Sequence, residues 1–272
     1  MFGRFIVDEP GKRVATSDFD PKDTLGLSKE EAEAACEKLR DRFSELQERF
    51  YASKKFALLI VLQGMDASGK DGTVKNALSG INPNGFYVEA FKQPTPLELG
   101  HDYLWRAHRS TPKRGDIAVF NRSYYEDVLV ARVHGTIDDG TAHRRFEEIR
   151  DFEKYLTANG TILLKFFLHI SKDFQREKLM ERLENPEKNW KFSEADLNER
   201  KFWDEYQKYY SDVLSHTGAK HAPWHVVPAN RRWFRDYLVL HAVVKALEEL
   251  PLEYPVIEAN VKALIRELKE EQ

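Results

Sequence analysis

Residues 56–72 read FALLIVLQGMDASGKDG, and the two halves obey different rules. The seven apolar residues Phe56 to Leu62 form a run too short for a bilayer and too continuous for a strand with one wet face. They read as a strand buried on both faces of a sheet. The polar half, Gly64-Met65-Asp66-Ala67-Ser68-Gly69-Lys70, fits Gly-x4-Gly-Lys. Glycines there let backbone N–H groups curl round a phosphate while the lysine reaches its terminal oxygens. Beyond the loop, Val74, Ala77, Leu78 and Ile81 recur on one helical face. The order strand, glycine loop, helix is more specific than the glycine pattern alone.

Four further apolar runs extend this layout: FYVEAF (86–91), DIAVF (116–120), TILLKFFLHI (161–170) and WHVVPA (224–229). Helical stretches separate them, which predicts an α/β fold whose five-stranded parallel sheet is covered by helices on both faces. Helix starts are marked by Thr95-Pro96 with Glu98 and by Ser123 with Glu126, while Asn159-Gly160 closes one helix and Asn230 caps the last. Ahead of the sheet, Ser28 and Glu31 form a capping box, and Ala32, Ala35, Leu39, Phe43, Leu46 and Phe50 then trace an amphipathic helix. Residues 1–27 read as an arm lying over a surface. The expected organisation is an arm and packed helix over 1–54, a catalytic domain over 55–250 and a tail or helix over 251–272.

Composition narrows the class. A chain of 272 residues with 42% hydrophobic residues buries one sizeable core. Its 42 Lys and Arg are balanced by 45 Asp and Glu, so an anion site must arise from local arrangement. The single Cys36 excludes an internal disulfide framework and fits a reducing compartment, the cytoplasm. The first residues lack the apolar core of a secretory signal, and no run is long enough for a membrane helix, so a soluble protein without membrane partners is expected.

Acid inside the loop is the chemical clue. The usual Ser or Thr after the lysine is replaced by Asp71, and Thr73 arrives two places late. Asp66 can instead hold a hard divalent cation that bridges to phosphate. Asp71 lies in the first helical turn, where negative charge suits the dipole, so capping outranks catalysis for it. Gly64, Ala67, Ser68, Gly69, Gly72 and Thr73 complete the cradle. The third strand ends on Asn121-Arg122-Ser123, where such enzymes usually place an aspartate to orient the metal. Asparagine offers only a neutral oxygen, and Asp127, one turn on, is the favoured source of the missing charge. The planar fork of Arg122 suits two phosphate oxygens at once.

The segments Gly64-x-Asp66-x-x-Gly69-Lys70-Asp71-Gly72, Asn121-Arg122-Ser123-Tyr124-Tyr125-Glu126-Asp127 and HISKDFQREKLMERLENPEKNWKF together resemble the family-2 polyphosphate kinases, over about residues 20–250. The resemblance implies a P-loop kinase fold like thymidylate kinase, a three-layer α/β/α sandwich with a helical lid at about 172–200. It also implies reversible phosphoryl transfer between inorganic polyphosphate and AMP or ADP to give ADP or ATP. Mg²⁺ is the implied cofactor, with Mn²⁺ as an alternative, and a homo-oligomer, dimer or tetramer, the implied assembly. By position, Asp66 becomes metal and catalytic carboxylate, and Lys70 and Arg122 become phosphate ligands. Asn121 resembles the branch that phosphorylates both AMP and ADP.

In the basic segment, Arg176, Lys178, Arg182 and Lys191 are the candidates for lining a polyanion groove, although alternating charge also describes a solvated helix. Arg176 shares its face with Leu179, Met180 and Leu183, which argues for the groove. Nucleic acid would suit repeated cations too, but no base-reading motif or exposed aromatic run accompanies them. Trp203, Tyr206, Tyr209 and Tyr210 read as core or subunit contact, and Trp224 to Arg232 as a weak ligand-loop candidate. An ATP-dependent nucleoside or nucleotide kinase, or a phosphate-sensing scaffold, would use the same loop.

Overall fold

The computed structural model of the chain describes residues 2–256 and 260–270. Its strands are β1 (Ile6–Val7), β2 (Ala57–Gln63), β3 (Phe86–Ala90), β4 (Ile117–Asn121), β5 (Thr161–His169) and β6 (Trp224–Pro228). They form one sheet in the order β1-β6-β5-β2-β4-β3. Every residue of β2 is buried, as its apolar run requires of a central strand. Strands β2 to β6 are parallel, so the loops leaving β2, β4, β5 and β6 gather at one sheet end.

The expected sheet of five parallel strands is corrected to six strands in a mixed sheet. The extra strand comes from the arm: Ile6 lies opposite His225 and Val7 opposite Trp224, antiparallel on the β6 edge. Phe5 anchors it, buried with its ring edge-on to Phe234. Two residues are too few to show a period, so the strand is invisible to patterning.

The capping box at Ser28 and Glu31 forms and starts the helix Lys29–Ser53. Its buried Cys36, Phe43, Leu46 and Phe50 face the long helix Arg232–Glu248, so the apolar stripe is covered within the chain. The box at Thr95 and Glu98 forms as well, but its helix, Pro96–Leu99, is one turn long. Asn159 and a left-handed Gly160 end the helix Asp139–Ala158.

One expected capping box forms only in part, and one expected cap is replaced by tertiary bonds. Ser123 accepts from the Tyr125 N–H, while the Glu126 carboxylate accepts from the buried Gln63 amide instead of closing a box. Asn230 accepts from the Ser171 N–H and donates to Ser171 Oγ, tying the loop after β6 to the loop after β5. Glu126 and Asn230 are thus drawn to partners distant in sequence, while Ser123 keeps its local cap.

The helices over β5 enclose one charged network. Lys165 Nζ donates to Glu153 at 2.7 Å, to the Tyr125 hydroxyl at 3.0 Å and to the Thr217 carbonyl at 2.8 Å. Both the Tyr124 and Tyr125 hydroxyls donate to Glu153 at 2.8 Å. All four side chains are wholly buried.

Near the C-terminus the helix Val261–Glu270 presents Val261, Leu264, Ile265 and Leu268 to solvent. Of the expected tail over 251–272, residues 257–259, 271 and 272 lie outside the described residues. Among the described residues no helix is long and apolar enough to cross a membrane.

Candidate active site

Strand β2 delivers the glycine loop to the carboxyl end of the sheet, and the helix Lys70–Ala77 leaves it. The turn needs left-handed backbone at Ala67 and Gly69, with φ of 65° and 95°. A methyl at Gly64 would lie 2.7 Å from Ser68 Oγ and 2.8 Å from the Leu168 carbonyl, so this position tolerates no side chain. Ser68 and Thr73 are buried, and Thr73 Oγ1 donates back to the Gly69 carbonyl, which makes it a brace of the helix start. The Ser68 hydroxyl, aimed at the loop interior, has no protein partner among the described residues.

Lys70 Nζ folds back over the loop and donates to the carbonyls of Gly64 at 2.7 Å and Met65 at 3.3 Å. Burial, then repulsion by Arg122, pushes its pKa down to about 8; Asp66, Glu126 and Asp71 oppose this. A phosphate arriving there would restore the missing negative charge.

Across the loop, β4 ends on Asn121 and the chain turns through a left-handed Arg122, φ 62°. That turn aims the Arg122 guanidinium at Asp66, donating to Oδ1 at 2.7 Å. Asn121 Nδ2 donates to Asp71 Oδ1 at 2.6 Å, so Asp71 also bridges the loop helix to β4. Asp66, Ala67, Gly69, Lys70, Asp71, Gly72, Asn121 and Arg122 therefore share one cleft of about 690 Å³.

Asp127 is not brought to this cleft. Its carboxylate takes a hydrogen bond from Arg106 at 3.4 Å and lines a second cleft with Tyr103 and Arg145. Burial raises its pKa, and Arg106 and Arg145 counter that. The short helical turn Tyr124–Val128 points Glu126 back to Gln63 and leaves Asp127 facing away. Arg176 is likewise not in the cleft. The helix Lys172–Glu184 buries Gln175 and Leu179, which leaves Arg176, Met180 and Leu183 on its exposed side.

Lys178, Arg182 and Lys191 do reach the cleft wall. Glu181, one of the acids that alternate with these cations, sits among them: it accepts from Lys178 at 2.8 Å, pairs with Lys188, and lies 3.8 Å from Arg232. Bonds from Lys178 and Lys188 hold its carboxyl down at about 2. Arg182 pairs with Asp196 at 3.0 Å, and burial followed by the nearness of Asp66 raises the Asp196 pKa.

Other site residues carried no sequence signal. Gln175 donates to the Asp66 carbonyl at 3.0 Å and accepts from Arg200 at 2.8 Å, coupling the loop to residues 172–200. Arg235 projects from the helix Arg232–Glu248, three residues beyond the ligand-loop candidate, whose last residue, Arg232, also lines the cleft. Trp203, Tyr206 and Tyr210 are buried, with Tyr210 stacked on Phe167 at 4.3 Å, so they pack the core.

A model of the family described as polyphosphate kinase 2 matches residues 26–253. The chain belongs to the polyphosphate kinase 2 family. An AMP/ADP-polyphosphate phosphotransferase from Meiothermus ruber is 46% identical over 261 residues, covering 95% of this chain and 98% of that protein. An ADP-polyphosphate phosphotransferase from Rhodopseudomonas palustris is 47% identical over 227 residues, covering 79% and 78%. The crystal structure of polyphosphate kinase 2 from Arthrobacter aurescens TC1 matches with a TM-score of 0.90 at 39% identity, covering 98% of both chains. The family's kinase-like fold therefore spans nearly the whole chain, with six strands in place of the five expected.

Proposed function

We propose that the chain transfers a phosphoryl group reversibly between inorganic polyphosphate and a nucleotide, converting AMP to ADP and ADP to ATP. The observation that carries this reading is the excess of cation in one cleft. Beside Lys70 and Arg122, which suffice for a transferred phosphate, stand Lys178, Arg182, Lys188, Lys191, Arg232 and Arg235. A ligand charged at every unit along its length suits such a wall.

The acceptor phosphate is already largely anionic at neutral pH, its second pKa lying near ~6, so no protein base is required. Positioning and charge neutralisation remain to be supplied. Lys70 and Arg122 would grip oxygens of the transferred group, the Ser68 hydroxyl would donate to one more, and the lid cations would hold the donor chain in line. Among the described residues no three His, Cys, Asp or Glu side chains cluster as a protein-only metal site. Mg²⁺ commonly binds through one or two carboxylates plus substrate phosphates, and Asp66, with Oδ2 free of Arg122, fits that role. When bound, Mg²⁺, or Mn²⁺ in its place, would neutralise charge on the phosphate oxygens.

Incubation of the protein with ADP and polyphosphate as sole donor tests the reading. ATP formation is expected; transfer from ATP to AMP without any use of polyphosphate would point to an ordinary nucleotide kinase. A pH profile adds a second check. Lys70 is charged below about pH 8 in the ligand-free protein and loses its proton as pH rises through that value. The ratio kcat/KM for polyphosphate is therefore expected to fall above about pH 8, whereas kcat, measured with phosphate bound, holds to higher pH. A flat kcat/KM up to pH 10 would contradict the placement of Lys70.

A further inference from the structure

One buried arginine in the cleft belongs to none of the motifs that carry the resemblance. Arg235, on the helix Arg232–Glu248, is 2% exposed. Its Nε donates to Asp236 Oδ1 at 2.8 Å, and Nη2 pairs with the same oxygen at 2.7 Å. Asp236 is itself fixed by Asn76 Nδ2 at 3.3 Å, from the last turn of the loop helix. The remaining nitrogen, Nη1, makes no hydrogen bond among the described residues. It lies against the loop helix's N-terminus: a methyl built on Gly69 would fall 1.9 Å from Nη1, and one on Gly72 would fall 3.2 Å from Nη2. Gly72 has no left-handed backbone to explain it, so the closeness of this guanidinium is its structural reason.

An unpaired guanidinium edge, buried and set beside the free N–H groups of a helix start, is a preformed anion grip. Asp236 offsets part of the charge but leaves the Nη1 hydrogens free, because both its contacts are on the Nε and Nη2 side of the fork. Arg232, one turn earlier on the same helix, reaches the same cleft wall.

We propose that Arg235 is a phosphate-binding residue for the inorganic donor chain. Nη1 holds an oxygen of a phosphate one or more units away from the transferred group, and Asp236 with Asn76 orients the fork. The proposal rests on the polyphosphate-dependent transfer reading above. Arg232 of the same helix lies 3.8 Å from Glu181, which Lys178 and Lys188 also hold, so this edge continues the cation wall read above as the donor's, and Arg235 acts on the donor and leaves the nucleotide untouched.

The test compares Arg235→Gln with the double variant Arg235→Gln/Asp236→Asn, which removes both buried charges while keeping shape. In the folded double variant, KM for tripolyphosphate is expected to rise about tenfold or more, the worth of one charge-assisted bond, with KM for ADP changed less than about twofold. The slope of log KM against log salt should also become shallower by about one. Equal rises in both KM values, or a tripolyphosphate KM within about twofold of wild type, would overturn the assignment. If the unmodified protein makes no ATP from polyphosphate, the transfer reading fails on its own. Calorimetric titration of tripolyphosphate then decides Arg235: weakening of about tenfold in the double variant upholds the grip, and equal affinity refutes it.

Discussion

Replacing Lys70 with alanine is expected to lower turnover by on the order of 10³ or more, the scale on which phosphoryl transfer depends on clamp cations. The fold should survive this change. Nζ bonds only the carbonyls of Gly64 and Met65, and no carboxylate is left unpaired by its removal. Burial already disfavours the ammonium, as its lowered pKa records, so at neutral pH the folded state carries a charge it would shed at little cost. Activity and stability therefore part company: steady-state assays should collapse while the thermal midpoint stays level or rises. Turnover within tenfold of wild type would remove Lys70 from the transferred phosphate.

The second large effect lies away from the cleft. Glu153→Ala strands the Lys165 ammonium and two phenols in a dry interior, and a broken buried pair costs about 3–5 kcal/mol. Urea unfolding measures it. Exchanging both charges for apolar residues, Glu153→Leu with Lys165→Met, should recover most of the loss, though the two tyrosine hydroxyls still lack their acceptor. A cost below about 1 kcal/mol for the single change would mean that water reaches the network. Activity should follow, because Tyr124 and Tyr125 come directly after the Arg122-Ser123 turn and their anchoring in Glu153 fixes the direction of that turn.

Features written in consecutive residues were legible. The run Phe56–Leu62 announces a strand buried on both faces, and the glycine spacing announces the loop, since both depend on backbone and burial near in sequence. Arg122 was legible too, because it directly follows an apolar strand that had to end at the cleft. What failed were choices between partners distant in sequence. Whether Asp127 faces the loop depends on Arg106, 21 residues away, and Asn230 abandons its cap for Ser171, 59 residues away. Arg176 misled because an amphipathic helix shows which residues share a face, but not which face is covered. Arg235 was missed because a cation one residue from an acid reads as a local pair until the glycines opposite it are placed in space.

Arg122 occupies backbone territory that glycine would enter freely and that costs other L-residues about 1–2 kcal/mol. Among single replacements, the one that relaxes this turn also deletes its guanidinium. The least strained chain is thus an inert one, and any search for sturdier variants that scores folding alone will drift towards catalytic silence at this position.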